Sequence, residues 1–184
     1  VTPRLVFDEL VGRFGDAVFE MHDDPKRDKD PWFRVVPDRL ADVARVLRDE
    51  PRYACDWLEC VTGTDYPKEK AVRVTYHFYS YALRHRVVLK VDAPYDAPNV
   101  PSLVSLYPVA DWQERECFDL LGVRFDGHPN LARILLPDDW VGHPLRKDFA
   151  EASDYHGIPT SRPVPLELLQ LRVPMRVVRK GTES

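Results

Sequence analysis

Glu114, Arg115 and Glu116, the histidines of two Gly-His-Pro triplets at His128 and His143, and the run Leu145-Arg146-Lys147-Asp148-Phe149 are the residues whose types and crowding could do chemistry in this chain. Two carboxylates can serve as acid and base when they flank one substrate. Glu114 and Glu116 stand two positions apart. On a helix they point roughly 200° away from each other and cannot share a substrate. Glu114 instead reads as the capping-box partner of Asp111, and Arg115 with Asp119 as an i,i+4 surface pair worth about 0.2–0.5 kcal/mol.

Asp126, His128, His143 and Asp148 offer metal-ligating atoms. Metal sites usually set two ligands close together on one element, as in HxH or HxxxH. These histidines lie fifteen positions apart, and each precedes a proline, Pro129 or Pro144. That context holds a residue extended in a turn, its ring free to bond backbone or a carboxylate. A stand-alone metal-dependent hydrolase using His128 and His143 is an alternative of another class, which this spacing disfavours. Cys117 falls on the apolar stripe of its expected helix, where cysteine behaves as a small hydrophobe. Ser153 and Ser161 lack a nucleophile-elbow context, and glycine loops of the phosphate-cradling kind do not occur in the sequence. Cys55, Cys60 and Cys117 form no CxxC pair, which argues against a disulfide framework, a zinc ribbon or a chain-borne iron–sulfur cluster. Cys55 and Cys60 are five positions apart, so on a strand they would face opposite sides and cannot chelate together. No catalytic, cofactor-binding or metal site is expected.

The same residues suit a docking surface. Arginine is favoured at interface cores, and prolines stiffen a segment before it binds, so less ordering entropy is lost. Seventeen of the 184 residues are proline, against a typical usage of about 5%. Between Lys68 and Asp92 there is none, while the second half is crowded with them. Leu145-Arg146-Lys147-Asp148-Phe149 alternates apolar anchors with charge on a stretch too short to own a core. The tail from Tyr155 to Val178 spreads Tyr155, Ile158, Leu168, Leu169 and Leu171 among prolines, and a partner surface is the simpler home for them. Near its end Arg172, Arg176, Arg179 and Lys180 are basic, suiting a phospholipid surface or an acidic neighbour.

The elements that must position these residues are legible from periodicity. Thr2-Pro3 starts a helix whose Phe7, Leu10, Val11 and Phe14 share a face, and Gly15 can close it. Ala17–Met21 and Trp32–Val36 follow as strands, with the charged Asp23–Asp30 as a solvated hairpin loop. A second helix spans Asp38–Arg48 with Leu40, Val43, Ala44 and Leu47 as its stripe, ending at Pro51. Three strands come next: Asp56–Thr64, then one in which Val72, Val74, Tyr76 and Phe78 alternate with polar positions, then His85–Val91. A turn at Tyr81-Ala82-Leu83 joins the last two. Trp57, Tyr76 and Phe78 are expected in the core. The third helix is expected over Asp111–Leu121, capped by Asp111, closed by Gly122, with Cys117, Phe118 and Leu121 buried.

The expected fold is α+β: a two-layer α/β sandwich of order α-β-β-α-β-β-β with a mixed five-stranded sheet, then a helix and an extended proline-rich arm. The expected divisions are 1–92 for the sandwich, 93–149 for the helix and docking segment, and 150–184 for the tail. Hydrophobic content of 44% and charged content of 30% are those of an ordinary globular chain, and a net charge of −4 disfavours non-specific nucleic-acid binding. No apolar run approaches the roughly 18 residues that span a bilayer. Asp8 and Glu9 near the N-terminus, without a signal-peptide core, point to a cytosolic chain.

Glu114-Arg115-Glu116-x-Phe118-Asp119-Leu120-Leu121-Gly122, Phe125-x-Gly127-His128-Pro129 and Gly142-His143-Pro144-Leu145-Arg146-Lys147-Asp148-Phe149 together resemble the 30 kDa subunit family, the C subunits, of the proton-pumping NADH:quinone oxidoreductase, respiratory complex I. The dense match covers Trp112 to Phe149. The order of elements before it fits that family's N-terminal domain, and Tyr155-His156-Gly157 is similar to the tail of some bacterial members. The resemblance implies a peripheral-arm component on the cytoplasmic side of the bacterial inner membrane. It implies docking on the larger D subunit of the complex, with the B and I subunits nearby, while FMN, iron–sulfur clusters and quinone reside in partner chains. It also implies an interface carried by Glu114, Arg115, Glu116, His128, Pro129, His143, Pro144, Leu145, Arg146, Lys147, Asp148 and Phe149. Cys117 departs from the pattern, many relatives having a larger apolar residue there. Membrane-bound hydrogenases and quinone reductases with other electron donors contain a homologous subunit and stay open as alternatives.

Overall fold

Period-2 and period-3.6 patterns that agree on one buried face produce a sheet with helices on one side, and that is the architecture of the chain. A computed structural model describes residues 2–24, 26 and 30–160. The chain divides into two compact units, Val1–Phe149 and Ala150–Ser184, so residues 1–92 and 93–149 pack as one body.

Helix α1, Pro3–Phe14, starts where Thr2 Oγ1 accepts the Leu5 amide at 3.4 Å and ends at Gly15 with φ 60°. Val6 and Leu10 are its buried residues, and Phe7, Val11 and Phe14 pack partly buried beside them. Strands β1, Val18–His22, and β2, Trp32–Val35, pair antiparallel. Helix α2, Leu40–Asp49, buries Leu40, Val43, Ala44 and Leu47 completely. Each such side chain withdrawn from water contributes about 1.5–3 kcal/mol, somewhat less for alanine. Strands β3, Trp57–Tyr66, β4, Ala71–Ser80, and β5, His85–Pro94, complete a five-stranded sheet of order β1-β2-β5-β4-β3. All neighbours are antiparallel except β2 and β5, which run parallel. The sheet is thus mixed, as the sequence implies.

Register places Val74 against Val91, Tyr76 against Leu89 and Phe78 against Val87, so one sheet face is continuously apolar beneath the helices. One expectation fails here. Trp57 is 43% exposed rather than core, because it pairs with Tyr79 on the opposite face of the sheet. Cys55 lies buried ahead of β3, which begins two residues later. An irregularity between Leu58 and Cys60 then resets the alternation of β3, leaving Leu58 and Val61 both buried.

Helix α3, Ala110–Leu121, lies on β3. Gly63 makes this approach possible: a Cβ there would stand 2.3 Å from Leu121 Cδ1. Two short strands, β6 at Asn99–Pro101 and β7 at Arg124–Asp126, pair in parallel around the helix's start and end. In the second unit β8, Asp154–Tyr155, and β9, Ile158–Pro159, form a small antiparallel pair. The tail's Leu168, Leu169 and Leu171, its basic residues, and Ser161 lie outside the described residues.

Candidate subunit-docking segment

Helix α3 is the spine of the signature segment, and its acidic residues do not stand where the sequence suggests. The helix begins one residue earlier than expected, with Val109 at the cap position and no side-chain cap. Asp111 therefore sits inside the first turn, and Glu114 is released from a capping role. Glu114 is fully buried instead, accepting from Ser102 Oγ at 2.6 Å and from the Leu103 amide at 2.7 Å. Burial pushes its carboxyl up to about 7, against the pull of the Ser102 and Leu103 bonds and with a small push from Asp111. The Tyr76 hydroxyl, buried nearby, has no hydrogen-bond partner. Since Ser102 also accepts the Val104 amide at 3.2 Å, the carboxylate fastens the 102–107 turn to the helix.

Asp119 likewise is no surface partner of Arg115. It is fully buried, and one of its oxygens accepts the amides of Ile134, Leu135 and Leu136 at 3.0, 2.7 and 3.0 Å. The other oxygen takes Arg133 Nη1 at 2.7 Å. Burial alone would raise this carboxyl, but the amides of Leu136, Leu135 and Ile134 with the Arg133 guanidinium hold it below the usual aspartate range. Arg133 also donates to the carbonyls of Trp140 and Gly142, so one carboxylate and one guanidinium organise the whole 133–142 stretch. Arg115 reaches the carbonyls of Ala132 and Arg133 at 3.1 and 3.4 Å while lying over the Trp112 ring. Phe118 is only half-buried, and Cys117 and Leu121 keep their expected places in the core.

The two histidines serve opposite ends of the helix. His128 Nε2 meets the Asp111 carbonyl at 3.2 Å, and its Nδ1 accepts the Asn130 amide at 3.0 Å. His143 Nδ1 donates to the Asp119 carbonyl at 2.9 Å. Eight helical residues separate those carbonyls, about 12 Å of axial rise. The rings are thus not brought together, and among the described residues no group of three His, Cys, Asp or Glu side chains is placed to hold a metal. Gly122, at φ 78°, ends the helix in left-handed geometry, and a Cβ there would stand 2.7 Å from the His143 ring.

The following turn is clamped from a distant strand. Leu145 N–H donates to the Leu120 carbonyl at 3.0 Å, and Lys147 N–H to Asp65 Oδ2 at 2.6 Å. Asp65 is itself buried and also accepts from the Tyr95 hydroxyl at 3.4 Å. The Arg146 guanidinium lies 3.9 Å over the Tyr95 ring, donates to the Tyr95 carbonyl and leaves its side chain only 14% exposed. Phe149 turns back onto Gly142. Of the expected interface residues, Glu116, Pro129, Leu145, Lys147 and Asp148 face solvent. Arg115, His143, Pro144, Arg146 and Phe149 are half-buried, and Glu114 and the His128 side chain are enclosed. The bracing roles of Ser102, Asp65, Tyr95 and Arg133, and the exposure of Trp112, Leu135 and Val141, are not visible in the sequence pattern. One signal is: Glu114, Cys117 and Leu121 share the i, i+3, i+7 stripe.

The fold and the segment define a class: an α+β module whose signature stretch is braced from within by buried carboxylates and presented along one helix. Residues 33–155 match the family model described as the respiratory-chain NADH dehydrogenase 30 Kd subunit, and the chain belongs to that family. It is 39% identical over 154 residues to the NADH-quinone oxidoreductase C subunit of Chlorobium phaeobacteroides, covering 83% of this chain and 91% of that one. Against the protein of the same name in Roseiflexus castenholzii it is 52% identical over 115 residues, covering 62% of this chain and 66% of that one. Among solved structures, a chain of the membrane-bound sulfane sulfur reductase, an archaeal respiratory membrane complex, superposes with a TM-score of 0.64 at 25% identity, covering 80% of this chain and 85% of that one. A trypsin-resistant fragment of Nqo5 shares the fold, with a TM-score of 0.59 at 22% identity over 71% of this chain and all of the fragment.

Proposed function

We propose that this chain is a docking and assembly subunit in the peripheral arm of a proton-translocating NADH:quinone oxidoreductase. It docks on the D subunit, which helps to form the quinone site, near the B and I subunits, at the cytoplasmic side of the membrane. FMN, the iron–sulfur clusters and quinone belong to partner chains, and electrons pass through them rather than through this one. The observation that carries the reading is the 112–149 segment, whose family signature is spent on holding its own backbone in one shape. Pre-organisation of that kind lowers the entropy lost on association. Among the described residues no helix is long and apolar enough to cross a membrane, which suits peripheral attachment.

Isolation of the chain from native membranes in mild detergent tests this. Recovery with the D and B subunits, and with a flavin- and NADH-binding chain, is the expected result. A chain recovered free of companions would refute docking. The likeness to the sulfane sulfur reductase complex supports a second reading, in which the chain serves a sister assembly with another electron donor. Companions lacking NADH and flavin sites would favour it.

A further inference from the structure

Four large apolar side chains of the signature region are turned to solvent: Trp112 at 64%, Leu135 at 59%, Val141 at 88% and Leu145 at 53% exposure. They ride on segments fastened to the same helix. Arg115 holds its head on the 132–133 carbonyls and its flank on Trp112. Asp119 holds the amides of residues 134–136, Arg133 the carbonyls of Trp140 and Gly142, and the Leu120 carbonyl the amide of Leu145. The anchors are therefore carried on a rigid base rather than on loose loops. Several side chains of this size left exposed on one braced segment mark an interaction surface.

The charges around them are sorted. Three arginines of this region face inward, Arg115 onto carbonyls, Arg133 onto Asp119, and Arg146 onto Tyr95, while Arg124 is exposed. Across residues 112–149 the exposed charges are Glu116, Asp126, Asp138, Asp139 and Asp148 against Arg124 and Lys147. Apolar anchors on a segment with an excess of exposed carboxylates select their occupant. A second copy of this chain would bring the same carboxylates against themselves in a two-fold contact. An anionic lipid surface would be repelled as well.

We propose that Trp112, Leu135, Val141 and Leu145 form an apolar docking centre for a partner protein whose own contact surface is an apolar cleft rimmed by lysine and arginine. This rests on the docking reading above and specifies the partner's chemistry. Complementary charge would steer the encounter and reject wrong partners, while the apolar anchors supply the contact energy.

The test is photo-crosslinking in the assembled complex, with a photoreactive amino acid placed at Val141 and, separately, at Leu135. Companion chains are scored before irradiation, so a chain without companions refutes the docking reading itself. In an assembled complex, both probes are expected to label one partner chain, on peptides that carry lysine or arginine beside apolar residues. Adducts between two copies of this chain, adducts to lipid, labelling of acidic peptides, or no adduct would each overturn the proposal. A Glu116→Lys, Asp138→Lys double variant is expected to lower recovered complex by about tenfold or more, since like charges across an interface are strongly unfavourable. Both positions are exposed, so its unfolding midpoint should stay at the wild-type value. Normal recovery of complex with this variant would overturn the argument from exposed carboxylates.

Discussion

Replacing Glu114 with glutamine isolates the energetic consequence of burying a carboxyl group beneath α3. In the folded chain this group titrates near 7, against about 4.5 for an ordinary glutamate. Its folded value is raised, so its contribution to stability is full below the unfolded value and is lost as pH rises through 7. Linkage with those two values gives a cost of about 0.8 kcal/mol at pH 5 and about 3.3 kcal/mol at pH 8, a loss of roughly 2.5 kcal/mol between them. Glutamine keeps the shape. Its carbonyl can accept the Leu103 amide and its NH2 can donate to Ser102 Oγ, with an exchange cost of about 1 kcal/mol.

Urea unfolding of the purified chain, followed by tryptophan fluorescence at pH 5, 6, 7 and 8, measures this directly. The wild-type curve alone is not diagnostic. Burial depresses the His77 pKa, with the Arg86 charge acting the same way, so that residue adds stability as pH rises. The difference between wild type and Glu114→Gln removes the histidine's contribution. Its expected value moves by roughly 2.5 kcal/mol in favour of the variant from pH 5 to pH 8, with unchanged m values. A difference that stays constant with pH would refute the assignment of Glu114 as the titrating group. An Asp111→Asn control should shift the curve only slightly, because that residue contributes least to the Glu114 shift.

Two further substitutions probe the bracing. Asp119→Ala strands three backbone amides and the Arg133 guanidinium in a buried setting, and should destabilise the chain by about 3–5 kcal/mol in the same unfolding assay. A loss below about 1 kcal/mol would mean that the 133–142 stretch holds itself without the carboxylate. Asp65→Ala removes the acceptor for the Lys147 amide, a cost of about 1–3 kcal/mol confined to the 145–149 turn. Hydrogen exchange at Lys147 should accelerate by about tenfold or more while the sheet amides keep their protection, and wild-type exchange there would refute the clamp.

The sheet and the first two helices are legible in the sequence because their apolar residues repeat with clean periods over ten or so positions. Val72, Val74, Tyr76 and Phe78 alternate without interruption, and Leu40, Val43, Ala44 and Leu47 fall on one helical stripe. Trp57 escapes that logic for a local reason, since the irregularity at Leu58 and Cys60 shifts the alternation and a single strand's pattern does not reveal it. The acidic residues of α3 read as surface because carboxylates are rarely buried unless paired. Their partners come from elsewhere in the chain: Leu103 and Ser102 lie eleven and twelve positions before Glu114, and residues 133–136 lie fourteen to seventeen after Asp119. Asp65 and Lys147 are 82 positions apart. Contacts at such separations leave no periodic trace, so the density of the signature is visible in the sequence while its inward direction is not.

Glu114 and Asp119 share a helix and answer pH in opposite senses. The folded carboxyl of Asp119 is held below the ordinary range, so its stabilisation is present above the usual aspartate value and disappears as pH falls through the folded one. The contribution of Glu114 is full below about 4.5 and disappears as pH rises through about 7. The two braces are jointly strongest in the narrow interval between the ordinary aspartate and glutamate values, at about pH 4 to 4.5. Nearer neutrality the 102–107 turn is held around a carboxyl group that is partly ionised in an enclosed site, while the 133–142 stretch keeps its full support. Three of the four proposed docking anchors ride on the second brace or on the end of the helix. Leu135 and Val141 lie within the stretch that Asp119 and Arg133 organise, and Leu145 is tied to the last turn of the same helix. A change of pH through neutrality therefore weakens the helix's connection to the core turn without loosening the anchors against one another. That division lets a subunit keep one binding shape while its global stability varies.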